Sequence, residues 1–419
     1  MIIFPRKLSG TVTIPPSKSD CHRAIICASL ASGTSVICNT GTSDDVVATI
    51  NIMRSLGAKI SRLNTTLSID GSRTFKHVKD VTLDCNESGS TLRFLIPLAL
   101  HANGCTFIGS ERLGERPLNS YYDIFDKQNI SYQPTQGRLP LRVEKGTLSG
   151  VIELPGNVSS QYVSGLLFAL PLFEDTTKIV MTSPLESRGY VDLTIRTLEL
   201  FGISVRNDKY ETFEIMGGQE YSPMDYTCEA DFSQAAFFLA AGALGNDVAC
   251  NGLYEGSLQG DKEIINIIEK MGGTVTIDSG VIKALPSKLH GIRIDVSQIP
   301  DLVPILAVLA SFAEGETVIY NAERLRIKES DRLTAIRQQL NIIGGNIKEV
   351  EDTLVITPVS GFTGGEVSSC NDHRIAMALG IASTRATGDV RLIGEKSVSK
   401  SYPTFWDDFT MLGGVTHGQ

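Results

Sequence analysis

A chain of 419 residues is too long for one ordinary core and suits two domains. Its 42% hydrophobic and 20% charged residues make an ordinary globular balance, and no apolar run approaches the roughly eighteen residues that cross a bilayer. The formal net charge of −9 argues against nucleic acid as the main partner, so an anion site has to be a local basic concentration within an acidic protein.

The first residues, Ile2-Ile3-Phe4 ahead of Arg6-Lys7, read as a strand and lack the apolar core of a signal peptide. Six segments with one grammar follow. In each, a polar loop ends in Ser or Asp, an apolar helix of three to four turns begins, and usually a Gly and then a short β-rich run come next. They start at Ser17, Ser88, Ser159, Asp231, Asp301 and Asp372, at spacings of 71, 71, 72, 70 and 71 residues. These helices are apolar nearly all round, which predicts burial rather than an amphipathic surface position. The strand-like runs are Val36-Ile37, Thr106-Phe107-Ile108, Ile179-Val180-Met181, Val248-Ala249-Cys250, Val318-Ile319-Tyr320 and Val390-Arg391-Leu392-Ile393. An amphipathic second helix closes each segment, stopping at Gly57, Asn129, Gly202, Gly272, Gly344 and Gly413.

Six α/β units predict two domains of three, with the junction near Cys228-Glu229-Ala230: residues 17–228 form one, and residues 1–16 with 229–419 the other. The sixth segment lacks a closing strand, so the strand of residues 2–14 is expected to complete it. The chain would then cross between domains twice, near Thr13–Pro16 and near Thr227–Ala230. Eight cysteines show no C-x-x-C pair, and Cys21, Cys27 and Cys228 read as buried free thiols of a reducing cytoplasm.

An Asp or Ser cap is ordinary helix chemistry. A cation just behind the cap is not, because a helix start already favours anions. Lys18, Ser19 and Arg23 stand there in the first segment, Arg93 in the second, and His373-Arg374 in the sixth. In the third, Ser159-Ser160-Gln161 offers neutral donors instead. Further basic clusters precede the second helices: Glu115-Arg116-Pro117, Ser187-Arg188, Arg324 to Arg332, and Lys400-Ser401-Tyr402-Pro403. Within the densest, Lys328 and Arg332 are expected to face each other at i,i+4, which requires a bound anion or another acid.

At these residues the chain resembles the EPSP synthase (3-phosphoshikimate 1-carboxyvinyltransferase) family of enolpyruvyl transferases. The stretches that carry the resemblance are Pro16-Ser17-Lys18-Ser19 with Arg23, Ser88 to Arg93, Glu115-Arg116-Pro117, Ser159-Ser160-Gln161, Pro300-Asp301, Arg326 to Arg332, Asn371-Asp372-His373-Arg374 and Lys400 to Pro403. They keep the family's order from residue 16 to about 405. The resemblance implies a two-domain inside-out α/β barrel of six βαβαββ-type repeats, three per domain, with the active site in the cleft between domains that close over the substrate. It implies transfer of the enolpyruvyl group of phosphoenolpyruvate to the 5-hydroxyl of shikimate 3-phosphate, without metal or organic cofactor, by a cytoplasmic monomer with no nucleic-acid or membrane partner.

By the same resemblance, Lys18, Ser19, Arg23, Ser159, Ser160, Gln161, Ser187, Asp301 and Lys328 contact shikimate 3-phosphate. Lys18, Gly89, Arg116, Gln161, Arg332, Arg374 and Lys400 contact phosphoenolpyruvate. Asp301, Glu329 and Lys18 are the catalytic groups, Asp301 being the proton acceptor. The chain departs from the family pattern at Glu87, where many relatives have Asn, at Phe94, and at Arg324. A carboxylate at 87 either weakens an anion pocket or pairs with an arginine. Two rivals share the scaffold: a transferase acting on UDP-N-acetylglucosamine, and a non-catalytic anion-binding protein. Lys-Glu-Ser-Asp-Arg and Asn-Asp-His-Arg favour the shikimate enzyme over the first. The presence of Asp301 and Glu329 disfavours the second.

Overall fold

The computed structural model describes residues 1–418. The chain divides into two compact units, Met1–Pro15 with Glu229–Gln419, and Pro16–Cys228.

The unit Pro16–Cys228 holds three four-stranded sheets. In spatial order they are Tyr226–Thr227, Thr34–Cys38, Thr66–Asp70, Lys59–Leu63; then Lys79–Asp84, Asn103–Ile108, Arg138–Val143, Tyr132–Thr135; then Gly150–Leu154, Thr177–Met181, Thr212–Ile215, Arg206–Asp208. Each begins with a parallel pair and continues antiparallel. A parallel pair cannot be joined by a tight turn. In the second and third sheets the crossover carries a helix, Gly89–Leu98 and Ser160–Ala169. These two helices come close because Gly165 has no side chain: an added Cβ would strike the Arg93 carbonyl and the Tyr121 hydroxyl. Phe94 and Phe168 meet edge to face across the same interface, centroids 5.4 Å apart.

The other unit holds three sheets of the same order: Ser9–Thr13, Asp247–Asn251, Val281–Leu285, Thr274–Asp278; then Arg293–Asp295, Thr317–Tyr320, Thr353–Thr357, Asn346–Val350; then Gly365–Ser368, Val390–Ile393, Ile2–Phe4, Val415–His417. Again the first pair is parallel and the rest antiparallel. Its core lies around helices Phe232–Ala243, Val303–Ala310 and His373–Ser383, which touch one another and are buried along their whole length. The lack of an amphipathic face in the sequence reflects this placement.

Ser17, Ser88, Ser159, Asp231 and Asp372 each cap a helix, with a side-chain oxygen accepting a backbone N–H of the first turn. Asp301 does not. Pro300 and Pro304 bracket a 3-10 turn, Pro300–Leu302, and the helix starts at Val303 without a side-chain cap, which leaves the Asp301 carboxylate available for other partners. All six second-helix stops have positive φ, from 55° at Asn129 to 108° at Gly57, the left-handed geometry that favours Gly and Asn.

Two expectations need correction. Residues 2–14 form two strands rather than one. Ile2–Phe4 lies between Val390–Ile393 and Val415–His417, so the last sheet has its own closing strand as well. After Pro5, Ser9–Thr13 runs parallel to Asp247–Asn251, Ser9 opposite Asp247 and Thr13 opposite Asn251. Lys328 and Arg332 do not share a helix: a 3-10 turn covers Glu323–Ile327, and the α-helix begins only at Arg332, capped by Asp331. Six of the eight cysteines, including Cys21, Cys27 and Cys228, are buried free thiols.

Candidate active site

In the unit Pro16–Cys228, capping by Ser17 puts Lys18 and Ser19 in the first turn of helix Lys18–Leu30. Lys18 Nζ donates to Asp45 Oδ2 at 2.8 Å, on the neighbouring helix Asp44–Ser55. The cation placed at a helix start therefore meets an internal carboxylate. Arg23 lies one turn on and is 2% exposed. Its Nε donates to Thr194 Oγ1 at 2.9 Å, Nη1 to the Ser19 carbonyl at 2.6 Å, and Nη2 to the Tyr190 carbonyl at 2.7 Å. Burial lowers its pKa to about 10, with Asp20 opposing the shift, so it stays charged at neutral pH. Three of its five N–H groups thus brace the fold.

Gly89 is the first residue of its helix, and a Cβ built there would strike the Arg116 guanidinium, with Cζ only 2.7 Å away. Arg116 is buried, set by the short helix Glu111–Glu115 that it ends and by Pro117 behind it. Ser159 caps helix Ser160–Ala169, its Oγ accepting from Gln161 N at 3.3 Å, and Ser160 is buried beside it. The Gln161 amide is clamped: Nε2 donates to Ser90 Oγ at 2.9 Å, and Oε1 accepts from Arg93 Nη1 at 2.8 Å. Ser187 sits at φ 54°, ψ 48° before helix Arg188–Leu200, a left-handed conformation rare for a residue with a side chain.

In the other unit the charges converge on three carboxylates, Asp301, Glu329 and Asp372. Asp301 Oδ1 accepts from Arg332 Nη1 at 2.8 Å and lies 3.3 Å from Lys328 Nζ. Its Oδ2 accepts from Arg374 Nη2 at 3.2 Å. Arg332, 1% exposed, also donates from Nη2 to Glu329 Oε2 at 2.6 Å and from Nε to Asp372 Oδ2 at 2.9 Å. One guanidinium therefore holds Asp301 and Glu329 on its two terminal nitrogens. Burial works against the Arg332 charge, but Asp372, Glu329 and Asp301 more than offset it and hold the group protonated. Lys400 Nζ donates to the Asn371 carbonyl at 2.5 Å, which places it beside Asp372. Arg324 is buried, with Nη2 toward the Ser297 carbonyl at 3.4 Å. The repulsion expected between Lys328 and Arg332 is relieved by Asp301. Burial of its ammonium end still pushes the Lys328 pKa down to about 8, with Arg332 and Arg324 adding to the fall and Asp301 opposing it.

Of the residues singled out in the sequence, Asp301, Lys328, Glu329, Arg332, Arg374 and Lys400 come together in one unit. Lys18, Ser19, Arg23, Gly89, Arg116, Ser159, Ser160, Gln161 and Ser187 lie at helix starts and turns of the other. Sequence reading missed Asp45, the partner of Lys18, and Asp372, which is fully buried and accepts from Arg332, Ser330 and the Arg374 backbone. A signal for Asp372 was present: an acidic cap two residues before an arginine stands ready as a counter-charge at the same helix start. Among the described residues no group of His, Cys, Asp and Glu is arranged to hold a metal ion, and no helix is long and apolar enough to cross a membrane.

The fold defines the class first: an α/β protein with the enolpyruvyl transferase fold. The solved enolpyruvyl transferase NikO from Streptomyces tendae has the same fold, with a TM-score of 0.80, 99% of this chain and 97% of that one covered, and 18% identity. EPSP synthase from Acinetobacter baumannii is similar at a TM-score of 0.81 and 28% identity over 98% of this chain and 97% of that one. The family model for EPSP synthase (3-phosphoshikimate 1-carboxyvinyltransferase) matches residues 4–409, and the chain belongs to this family. Relatives named 3-phosphoshikimate 1-carboxyvinyltransferase include one from Clostridium perfringens, 49% identical over all of this chain and 99% of that protein. Another, from Clostridium kluyveri, is 51% identical over 98% of this chain and 97% of that protein.

Proposed function

We propose that this protein transfers the enolpyruvyl group of phosphoenolpyruvate to the 5-hydroxyl of shikimate 3-phosphate, releasing phosphate. The observation that carries the mechanism is the pair of carboxylates, Asp301 and Glu329, held on one guanidinium amid further cations. In the addition, the 5-hydroxyl oxygen bonds to the central carbon of phosphoenolpyruvate, losing its proton to Asp301 while Glu329 delivers one to the methylene carbon. In the elimination, the carbon–oxygen bond to phosphate breaks and the methyl group returns a proton. Lys18, Arg116, Arg332, Arg374 and Lys400 hold the anionic groups of phosphoenolpyruvate; Arg gives a bidentate grip and Lys a movable point charge. Gly89 lets the ligand approach the backbone, and Gln161 serves both substrates. Ser19, Arg23, Ser159, Ser160, Ser187, Asp301 and Lys328 hold shikimate 3-phosphate. The six sheets of one order support reading each as one βαβαββ-type repeat, three in each domain around buried helices, in an inside-out barrel.

The test is phosphate release with both substrates present. Release dependent on both is expected. Turnover with UDP-N-acetylglucosamine in place of the shikimate compound would instead assign the sister reaction.

Two further outcomes follow from the geometry. Gly89→Ala should fold but displace the Arg116 guanidinium, raising KM for phosphoenolpyruvate roughly tenfold while kcat holds, since about 1.4 kcal/mol of uniform binding is lost. Steady-state kinetics at saturating shikimate 3-phosphate checks this. The second concerns pH. Lys328 loses its charge as pH rises through about 8, so kcat/KM for shikimate 3-phosphate should fall above that pH. Lys328→Arg should remove the inflection, because guanidinium stays protonated there. An unchanged alkaline limb in that variant would take Lys328 out of the profile.

A further inference from the structure

Four buried polar side chains in the unit Pro16–Cys228 form one hydrogen-bonded chain across three helices. His22 Nδ1 is 2.7 Å from Thr49 Oγ1, Thr49 Oγ1 is 2.7 Å from Thr91 Oγ1, and Thr91 Oγ1 donates to Ser88 Oγ at 2.7 Å. His22, Thr49, Thr91 and Ser88 are all fully buried. Such a chain is costly to keep in an interior where Val would replace each Thr at the same volume, because every hydroxyl must give up water. It is also incompletely satisfied: His22 Nε2 has no hydrogen-bond partner.

That orphan sets the direction of the chain. A buried nitrogen without a partner is less costly as a bare lone pair than as an unpaired N–H, since orphaned donors are the rarer case. Burial keeps the imidazole neutral, with Lys18 and Arg23 adding to the effect. The proton then sits on Nδ1 and is donated to Thr49. Thr49 in turn donates to Thr91, and Thr91 to Ser88. Ser88, the cap of helix Gly89–Leu98, accepts twice, from the Thr91 hydroxyl and from Thr91 N at 3.1 Å, so the donors of the chain all point toward the helix start. Aligned hydroxyl dipoles polarise one another, so the positive end of the chain adds to the positive end of that helix. The Thr91 hydroxyl also lies 3.3 Å from the carbonyl of Asp45, whose carboxylate holds Lys18.

We propose that His22, Thr49, Thr91 and Ser88 are positioning residues that fix the helix start at Gly89 and orient its positive end toward phosphoenolpyruvate. This rests on the reading of Gly89 as a phosphoenolpyruvate contact. None of the four is among the residues assigned to either substrate. They act through the backbone at Gly89 and, by way of Asp45, through Lys18. The network separates two demands on the same helix: its apolar face packs the core, while its first turn is held in register by directional bonds that apolar packing cannot supply.

The experiment compares Thr91→Val, Thr49→Val, Thr91→Ser and Gly89→Ala by steady-state kinetics and thermal melting. Both Val variants are expected to raise KM for phosphoenolpyruvate about tenfold with kcat within about twofold, and Thr91→Ser to restore it. If the Val variants melt earlier yet keep the parent KM for phosphoenolpyruvate, the network is structural only and the proposal fails. Should Thr91→Val prove insoluble, Thr49→Val carries the same comparison from the middle of the chain. A Gly89→Ala variant with unchanged KM would overturn the underlying reading of Gly89. A shift in Gly89→Ala without one in either Val variant would overturn the network alone.

Discussion

Asp301→Asn is expected to lower kcat by about 10³-fold while shikimate 3-phosphate binds at least as tightly as before. The two parts of this result have one cause. The Asp301 carboxylate is the shared counter-charge of Lys328, Arg332 and Arg374. Those cations are also the proposed ligands of the substrates, so the carboxylate competes with every incoming anion. Asn keeps the shape and one acceptor but cannot take the hydroxyl proton, and it frees positive charge for the ligand. A binding titration beside single-turnover kinetics separates the two effects. Glu329→Gln should lose activity to a similar order, because it too sits on Arg332 and supplies the other proton transfer. Full activity in either variant would contradict the division of acid and base between them.

The second large effect lies behind the substrate groups. Asp372 uses both oxygens only as acceptors: Oδ1 from Arg374 N at 2.9 Å and Arg332 Nη2 at 3.3 Å, Oδ2 from Arg332 Nε at 2.9 Å and Ser330 Oγ at 3.1 Å. In Asp372→Asn the amide NH2 must face an N–H donor in either orientation, Arg332 Nε–H or Arg374 N–H, and a buried guanidinium loses the carboxylate that does most to hold its charge. Breaking a buried pair by removing one partner costs about 3 kcal/mol or more. The melting temperature should fall by on the order of 10 °C. Activity should fall as well, since Arg332 is then held by Asp301 and Glu329 alone. The exposed pair Lys127–Glu153 is the control. Lys127→Ala should leave the melting temperature in place, and an equal loss there would show that burial is not what matters.

Much of this architecture is legible in the sequence because caps and stops demand particular residues. Ser17, Ser88, Ser159, Asp231 and Asp372 are helix caps, and Gly57 or Asn129 mark ends that require positive φ. Where two such signals compete, reading fails. Asp301 looks like a cap by spacing, yet the prolines at 300 and 304 impose a 3-10 turn and release its carboxylate. Lys328 looks helical with Arg332, but capping by Asp331 starts the helix only at Arg332 itself. The deepest parts of the site left no pattern. Thr49 and Thr91 are ordinary helix residues until two neighbouring helices align their hydroxyls, and no periodicity encodes a contact across 42 residues. The ion pair of Lys18 with Asp45 is hidden for the same reason.

The split of the first strand in two has a consequence for how the protein is made. Ile2–Phe4 pairs with Val390–Ile393 and Val415–His417, and the Met1 ammonium donates to the carbonyl of Leu392. Synthesis at about 5–20 residues per second leaves this segment waiting on the order of half a minute for its partners. The unit Pro16–Cys228 waits only about half as long, since Ile37 meets its partner Tyr226 within the unit. It is contiguous, and its last strand, Tyr226–Thr227, fills the edge of its first sheet as soon as it clears the ribosome. The inserted unit can therefore mature as a guest while its host is still being translated. Until then the leading segment must avoid mispairing, and its brevity, Pro5 and the charges of Arg6 and Lys7 all weaken it as a template for stray strands. The stretch synthesised first is among the last to find its place.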